Sequence, residues 1–394
     1  MPIPRNRVLA TWLVAGLTAL AAVGCGGGAA PTPAAKAPEP AKPAAPAAPA
    51  ASPASAAQPA AQTSPPAAGA PAKPAAATSP TAAAAAPAKP ASAPSTPGKV
   101  AELSLGTGGT AGTYYPFGGA MAKIWGETDP NLKVTVQATG GSVENIRLIG
   151  RGQMDIALAQ NDIADYAVNG TEMFKDQKVE VLGIASMYPE LIQMVVGADA
   201  GINDVKDLRG KRFSPGPPGS GTEANARQIL DVAGLKPSDL AAYQLLAIAE
   251  QTAAFKDRKL DGFNITIGAP APAITDVATL QSIKLLPIAG DFARQVQSKY
   301  KFFTNVTIPA NTYRGVTAEV PTIAVQAMLV AGSKVDADAV YRMTKILVDK
   351  ADALGQAHAK GKDFNKAKPA DGISIKLHPG AERYYREVGI AIPQ

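Results

Sequence analysis

The sequence predicts an α/β fold in two lobes built alike. Three observations predict it. Strand-like apolar runs alternate with helical stretches from about residue 99 onward, the pattern of mainly parallel sheets. A glycine-rich strand-to-helix turn occurs at 106–116 and again at 214–222. A helix–turn–Asp–strand unit around Asp155 has an echo around Asp261. Two such lobes enclose a cleft, the usual place for a small ligand.

Residues 100–105 alternate like a strand. Next comes Gly106-Thr107-Gly108-Gly109-Thr110-Ala111-Gly112-Thr113-Tyr114-Tyr115-Pro116. Pro116 suits a first helical position, and 117–125 continues as a helix. Glycines let backbone approach a ligand, and free N–H groups at a helix start favour anions. Gly106-x-Gly108-x-x-Ala111 formally satisfies the dinucleotide fingerprint, which also expects an acid after the second strand. That strand, about 133–138, ends in Thr139-Gly140-Gly141-Ser142 without one. No cofactor is therefore expected. A tight turn without a ligand is the plain alternative, and the neighbouring Thr and Tyr residues favour a site.

Ser142 can cap a helix with Val143, Ile146 and Ile149 on its apolar face. Asp155 precedes a short strand at 156–159. That strand ends in Gln160-Asn161-Asp162, which cap the next helix at the carboxyl edge where open α/β sheets bind ligands. Runs 179–187 and 191–196 read as two further strands.

The second lobe repeats this grammar. Residues 204–210 read as a short capped helix. The loop Ser214-Pro215-Gly216-Pro217-Pro218-Gly219-Ser220-Gly221-Thr222 opens a helix ending near Val232 and stopped by Gly234. Its hydroxyls and free N–H groups could meet an oxyanion, although most such turns are simply helix caps. A strand at 262–267 follows Asp261.

The N-terminal part reads as an address. Arg5 and Arg7 precede a mostly apolar run at 8–23. That run is short for a spanning helix and fits an export signal. It ends in Ala22-Val23-Gly24-Cys25, similar to a bacterial lipobox with Ala22 where Leu is usual, and Cys25 is the single cysteine. Residues 1–25 are expected to be a lipoprotein signal peptide with Cys25 lipidated. Cleavage after a small residue, or an uncleaved anchor, would fit the same stretch. Residues 26–98 are almost wholly Ala, Pro, Gly, Ser and Thr with a few Lys. They cannot offset the entropy of ordering and read as a disordered tether. Polyproline-like, it would reach on the order of 200 Å, and its Ala runs could be transiently helical instead.

Charge and side-chain inventory exclude several classes. Residues 1–98 hold six basic side chains and one acid, leaving 32 basic and 31 acidic residues in the remainder. The folded part is nearly neutral, so the net charge of +6 points to no nucleic-acid partner. His358 and His378 are the only histidines and stand outside the glycine-rich loops. No His/Cys/carboxylate cluster has metal-ligand spacing. Ser220 has Pro218 where a nucleophile elbow needs Gly. Asp155 and Asp261 read as turn caps rather than a catalytic pair. No enzyme and no metal are expected.

Four stretches, in order, resemble the TAXI family, the solute receptors of tripartite TRAP transporters. They are 106–116; Thr139-Gly140-Gly141-Ser142-Val143-Glu144-Asn145 with 155–160; Ser214-Pro215-Gly216 with Gly219-Ser220-Gly221-Thr222; and Leu377-His378-Pro379-Gly380-Ala381 with Tyr384-Tyr385-Arg386-Glu387. Ile308-Pro309-Ala310-Asn311-Thr312-Tyr313 is similar to the segment where such receptors cross back between lobes. The run Gly268-Ala269-Pro270-Ala271-Pro272 departs from the family's more polar version. The resemblance covers 100–394 and implies a type II periplasmic binding protein fold. Lobe one would be about 99–193 and 309–394, and lobe two 194–308. It implies capture of small anions such as glutamate and 2-oxoglutarate.

The expectation is a monomeric solute receptor, periplasmic or at the cell surface. Lipidated Cys25 would hold it to a bilayer, and it would deliver an organic acid to TRAP transporter membrane subunits. A second reading is a sensor presenting its bound state to a membrane histidine kinase. A neighbouring reading frame for a permease or a kinase separates the two. The glycine-rich loops contain no Arg, so helix-start N–H groups and hydroxyls must supply the donors. The expected ligand contacts are Gly109, Thr110, Gly112, Thr113, Tyr114, Tyr115, Ser142, Gln160, Asn161, Asp162, Ser220, Gly221, Thr222, Thr266 and Gly268. Arg147, Arg212 and Arg227 lie near these loops in sequence and read as solvent-facing.

Overall fold

A computed structural model describes residues 99–392. The expected signal peptide, Cys25 and the tether lie outside the described residues. Among those described, no helix is long and apolar enough to cross a membrane.

The chain opens with β1 (Ala101–Gly106), α1 (Tyr114–Thr128), β2 (Leu132–Gln137), α2 (Ser142–Gly150), β3 (Ile156–Gln160) and α3 (Asn161–Asn169). Strands β1, β2 and β3 are parallel, with β1 central. Helix α1 begins at Tyr114, earlier than Pro116 suggests. Its buried stripe is Tyr114, Phe117, Met121 and Trp125, and Trp125 Nε1 donates to the Met343 carbonyl at 3.1 Å.

Strand β4 (Val181–Gly197) then runs unbroken for 17 residues, where the sequence reads as two strands. Its partner β10 (Val320–Gly332) is antiparallel to it, and the ladder covers Val181 to Leu191 of β4. That ladder carries β4 through Pro189, so no break forms there. Between the two lie β5 (Arg212–Ser214), α4 (Gly221–Val232), β6 (Ala242–Tyr243), α5 (Ile248–Lys256), β7 (Gly262–Ile267), α6 (Pro272–Leu280), β8 (Ile283–Leu285), α7 (Gly290–Lys299) and β9 (Thr304–Ile308). After β10 come α8 (Ala337–Asp349), α9 (Ala351–Ala357) and α10 (Pro379–Val388).

The strand order is β2-β1-β3-β10-β4-β7-β5-β6. The antiparallel strand β10 returns beside β3, which with the flanking helices makes a mixed α/β fold. Pairing is parallel among β1–β3 and among β5–β7, but antiparallel wherever β4 or β10 takes part. The expectation of mainly parallel sheets therefore holds only outside the crossing strands.

Each lobe has its own apolar core. One gathers α1–α3, β3, the first part of β4, the last part of β10 and the C-terminal helices. Two others flank the second lobe's strands. Tyr313 and Val316 pack with Ile265 and Ile267 in the second lobe, and Tyr313 Oη donates to Gln193 Oε1. The return crossing is thus made by β10, further along the chain than the expected boundary at 308/309. The boundary at 193/194 falls inside β4.

The repeated aspartates tie strands together. Asp155 Oδ2 accepts from Ser104 N and Oγ at 2.8 and 2.7 Å. Asp261 accepts from Arg212 N, Nε and Nη2. In each lobe the acid before one strand is tied to the strand beside it.

Candidate functional site

Four helices start at one place. The first N–H groups of a helix have no partner inside it, and aligned peptide dipoles leave that end partly positive. Thr113 is the N-cap of α1, Gly141 of α2, Gln160 of α3 and Ser220 of α4. All four line a cavity of about 60 Å³ between the lobes, at the carboxyl ends of β3 and β7. That volume suits a few waters or a small solute. A larger hollow, about 780 Å³, lies at the amino end of β3 among Arg151, Asp155 and Lys178. Open α/β sheets bind ligands at the other edge.

Glycine brings the walls together. Gly141 has φ of 112°, and a Cβ there would stand 3.5 Å from Ser220. A Cβ on Gly221 would stand 1.8 Å from Gln160 Oε1. The lobes are closed over the cavity. Glu144 N donates to the Gly219 carbonyl at 3.0 Å. Asn225 Nδ2 donates to Asp162 Oδ2 at 2.9 Å, and Gln228 Nε2 to Tyr166 Oη at 3.1 Å.

Of the residues expected from sequence, Gly109, Gly112, Thr113, Tyr114, Ser142, Gln160, Ser220, Gly221, Thr222 and Thr266 line this cavity. Five are not brought to it. Thr110 is exposed, and Tyr115 is half-buried, about 100° around α1 from Tyr114. Asn161 is turned to β10, where its Oδ1 accepts from Gln326 N at 3.1 Å. Asp162 is spent on the interlobe bond to Asn225. Gly268 lies against the Lys360 side chain, whose Nζ donates to the Ala269 carbonyl at 2.8 Å. Arg147 stacks on Phe174, Arg212 pairs with Asp261 and Arg227 with Glu223.

The residue that sequence reasoning missed is Glu190. It lines the cavity from the middle of β4 and is 3% exposed. Tyr114 Oη donates to its Oε2 at 2.9 Å, and the Gln160 side chain lines the same cavity. Burial pushes its carboxyl up to about 8, against the opposing pull of Tyr114 and Gln160. Burial likewise lifts Asp162 to about 7 and holds the Tyr114 hydroxyl well above its usual range. Among the described residues lining the cavity, Glu190 is the single carboxyl group, and none is Arg or Lys. The site therefore offers N–H groups and hydroxyls on its walls and one protonated acid on its floor. Among the described residues, no group of three or more His, Cys, Asp or Glu could hold a metal ion.

Residues 105–389 match the family model described as NMT1-like family. Several solved structures are similar in outline. The alkanesulfonate-binding protein SsuA from Xanthomonas axonopodis pv. citri, bound to MOPS, is 16% identical. That match covers 73% of this chain and 84% of that one, with a TM-score of 0.41. The periplasmic aliphatic sulphonate binding protein SsuA from Escherichia coli is 13% identical, over 73% and 82% of the chains, with a TM-score of 0.37. PhnD1 from Prochlorococcus marinus, in complex with methylphosphonate, is 10% identical, over 73% and 98%, with a TM-score of 0.46.

Proposed function

This chain belongs to the NMT1-like family, and from that premise we propose that it is an extracytoplasmic solute-binding receptor. It captures a small organic acid between its lobes and hands it to a TRAP-type transporter. The observation that carries this reading is the meeting of four helix starts on one closed interlobe cavity. Backbone N–H groups there favour an oxyanion without any Arg fork. Thr113, Ser142, Ser220 and Thr222 add hydroxyls from both lobes, so the ligand itself bridges the halves and favours the closed form. The TAXI-like order of glycine motifs supports the transporter type, and glutamate or 2-oxoglutarate sets the size class. Lipidated Cys25 would keep the receptor at the membrane surface.

A thermal-shift screen of small organic acids and amino acids on the full chain tests the reading. A ligand at a hundred times its Kd adds about 2.7 kcal/mol of stability. A panel in which nothing raises the melting temperature would overturn it.

A further inference from the structure

The lobes also meet outside the cavity, where α3 faces α4. Asp162 is 1% exposed there, and Asn225 and Gln228 are fully buried. Asn225 Nδ2 donates to Asp162 Oδ2 at 2.9 Å. The other oxygen of each side chain, Asp162 Oδ1 and Asn225 Oδ1, is buried without a hydrogen-bond partner. Two buried acceptors left unpaired are costly. A carboxylate and an amide oxygen have no hydrogen to offer each other, whereas a carboxylic acid has one. Acid and primary amide then share two bonds, amide N–H to acid oxygen and acid O–H to amide oxygen. The first is in place, and the two oxygens of the second are the two without a partner.

We propose that Asp162 and Asn225 form a proton-dependent latch between the lobes, closed while Asp162 carries its proton and released when it loses it. Closure takes one proton from solvent and forms the Asp162 Oδ1–H bond, which completes the acid–amide pair across the seam. Opening returns the acid to water, where the carboxylate is the stable form near neutrality. The link to solute capture rests on the receptor reading above.

The surroundings supply no cation in place of that proton. Asp165 and Tyr166 face Asp162 from its own helix, and Glu190 faces it from β4. Strands β3 and β10 carry no titratable side chain. On α2, Glu144 accepts from Gly140 N and Arg147 stacks on Phe174. On α4, Arg227 pairs with Glu223, and Asp231 with Lys299. Burial lifts the Asp162 carboxyl from its usual 3.8 to about 7. Between those values the closed form binds more protons than the open one. Closure therefore weakens as pH rises and levels off above about 7.

Hydrogen exchange on the full chain, without ligand, tests this. Glu144 N donates across the seam to the Gly219 carbonyl, so its protection reports closure. Corrected for intrinsic exchange and referred to the amides of α8, that protection should fall about tenfold or more from about pH 5 to about pH 7.5. Asp162→Asn offers an N–H donor that does not titrate and should remove most of the fall. Gln228→Ala cuts the neighbouring bond to Tyr166, leaves the acid in place and should keep it. Equal corrected exchange of the wild type at both pH values would overturn the latch whether or not the variants fold. So would a full fall in Asp162→Asn, or none in Gln228→Ala. No ligand enters the experiment, so these failures leave the receptor reading standing.

Discussion

Tyr114 Oη lies 2.9 Å from Glu190 Oε2 and donates to it. The bond joins the first residue of α1 to the strand that runs through both lobes. Burial keeps the phenol protonated, so Tyr114 is a permanent donor to the cavity floor. Ser142 Oγ accepts from Gln160 N at 3.2 Å, which ties the start of α2 to the end of β3.

Tyr114→Phe should weaken ligand binding about tenfold and cost about 1–3 kcal/mol of stability, because Glu190 loses a buried donor. Tyr115→Phe, next along the helix but off its buried stripe and outside the cavity lining, should change neither. Calorimetry and urea denaturation on both variants check this. Equal behaviour of the two would remove Tyr114 from the site.

Stability of the empty protein should fall as pH rises from about 4.5 to about 8. Unfolded, Glu190 loses its proton near 4.5, whereas burial holds it to about 8 in the fold. Between those values the folded state binds more protons, so each pH unit removes roughly 1.4 kcal/mol. That amounts to about 3 kcal/mol by pH 7. Asp162 adds a slope of the same sign between 3.8 and about 7. Melting temperatures should fall less steeply in Glu190→Gln, keeping below about pH 7 the part due to Asp162 and levelling above it. A variant with the wild-type slope would show that Glu190 is not the group responsible.

Gly221→Ala places a methyl 1.8 Å from Gln160 Oε1 and 2.4 Å from its Cδ. The Gln160 side chain must move or the lobes must part. Affinity should drop about tenfold or more, the scale of one lost charge-assisted bond. Ligand-saturated scattering curves should give a larger radius of gyration than wild type. Wild-type affinity would mean that this contact does not belong to the closed state.

Asn225→Ala removes the interlobe bond to Asp162. The buried acid is left without its side-chain donor, which disfavours closure by about 1–3 kcal/mol. Apparent affinity falls with the population of the closed form. A double-mutant cycle with Asp162→Ala should show coupling of at least about 0.5 kcal/mol. Strict additivity would argue that the pair does not link the lobes.

Cys25→Ser should stop lipid attachment and release the protein in soluble or unprocessed form, because acyl chains at that residue would otherwise hold it to the bilayer. Membrane fractionation and gel migration check this. A variant that fractionates and migrates like wild type would rule out the lipid anchor.

Motifs built on glycine were the most legible in sequence. Gly140-Gly141-Ser142 and Ser220-Gly221-Thr222 meet across the cleft because a Cβ on Gly140 would stand 2.9 Å from the Pro218 carbonyl and one on Gly221 1.8 Å from Gln160 Oε1, while Gly141 supplies a φ of 112°. Tyr114 and Tyr115 could have been told apart. Tyr114, Phe117, Met121 and Trp125 follow helical spacing, which puts Tyr114 on the buried face and Tyr115 off it. Glu190 was harder to read. It follows Pro189, and Tyr188-Pro189-Glu190 looks like a break between two strands. Only the β10 ladder, a contact between distant segments, carries the strand through and buries the acid. A lone carboxyl inside an otherwise apolar run was the signal available.

The second lobe is one uninterrupted stretch of chain, carried out by β4 and brought back by β10. Ala324 faces Leu191 across the ladder, and Val325 faces Glu190. The outgoing and returning backbones are thus about 5 Å apart at this seam. For an engineer, that makes the lobe a cassette. A donor segment whose own ends sit side by side could be spliced in at Leu191 and Ala324 without disturbing the helices that close the first lobe. Glu190 stands one residue before the splice. A chimaera would therefore inherit the acid and change only the wall that confronts it.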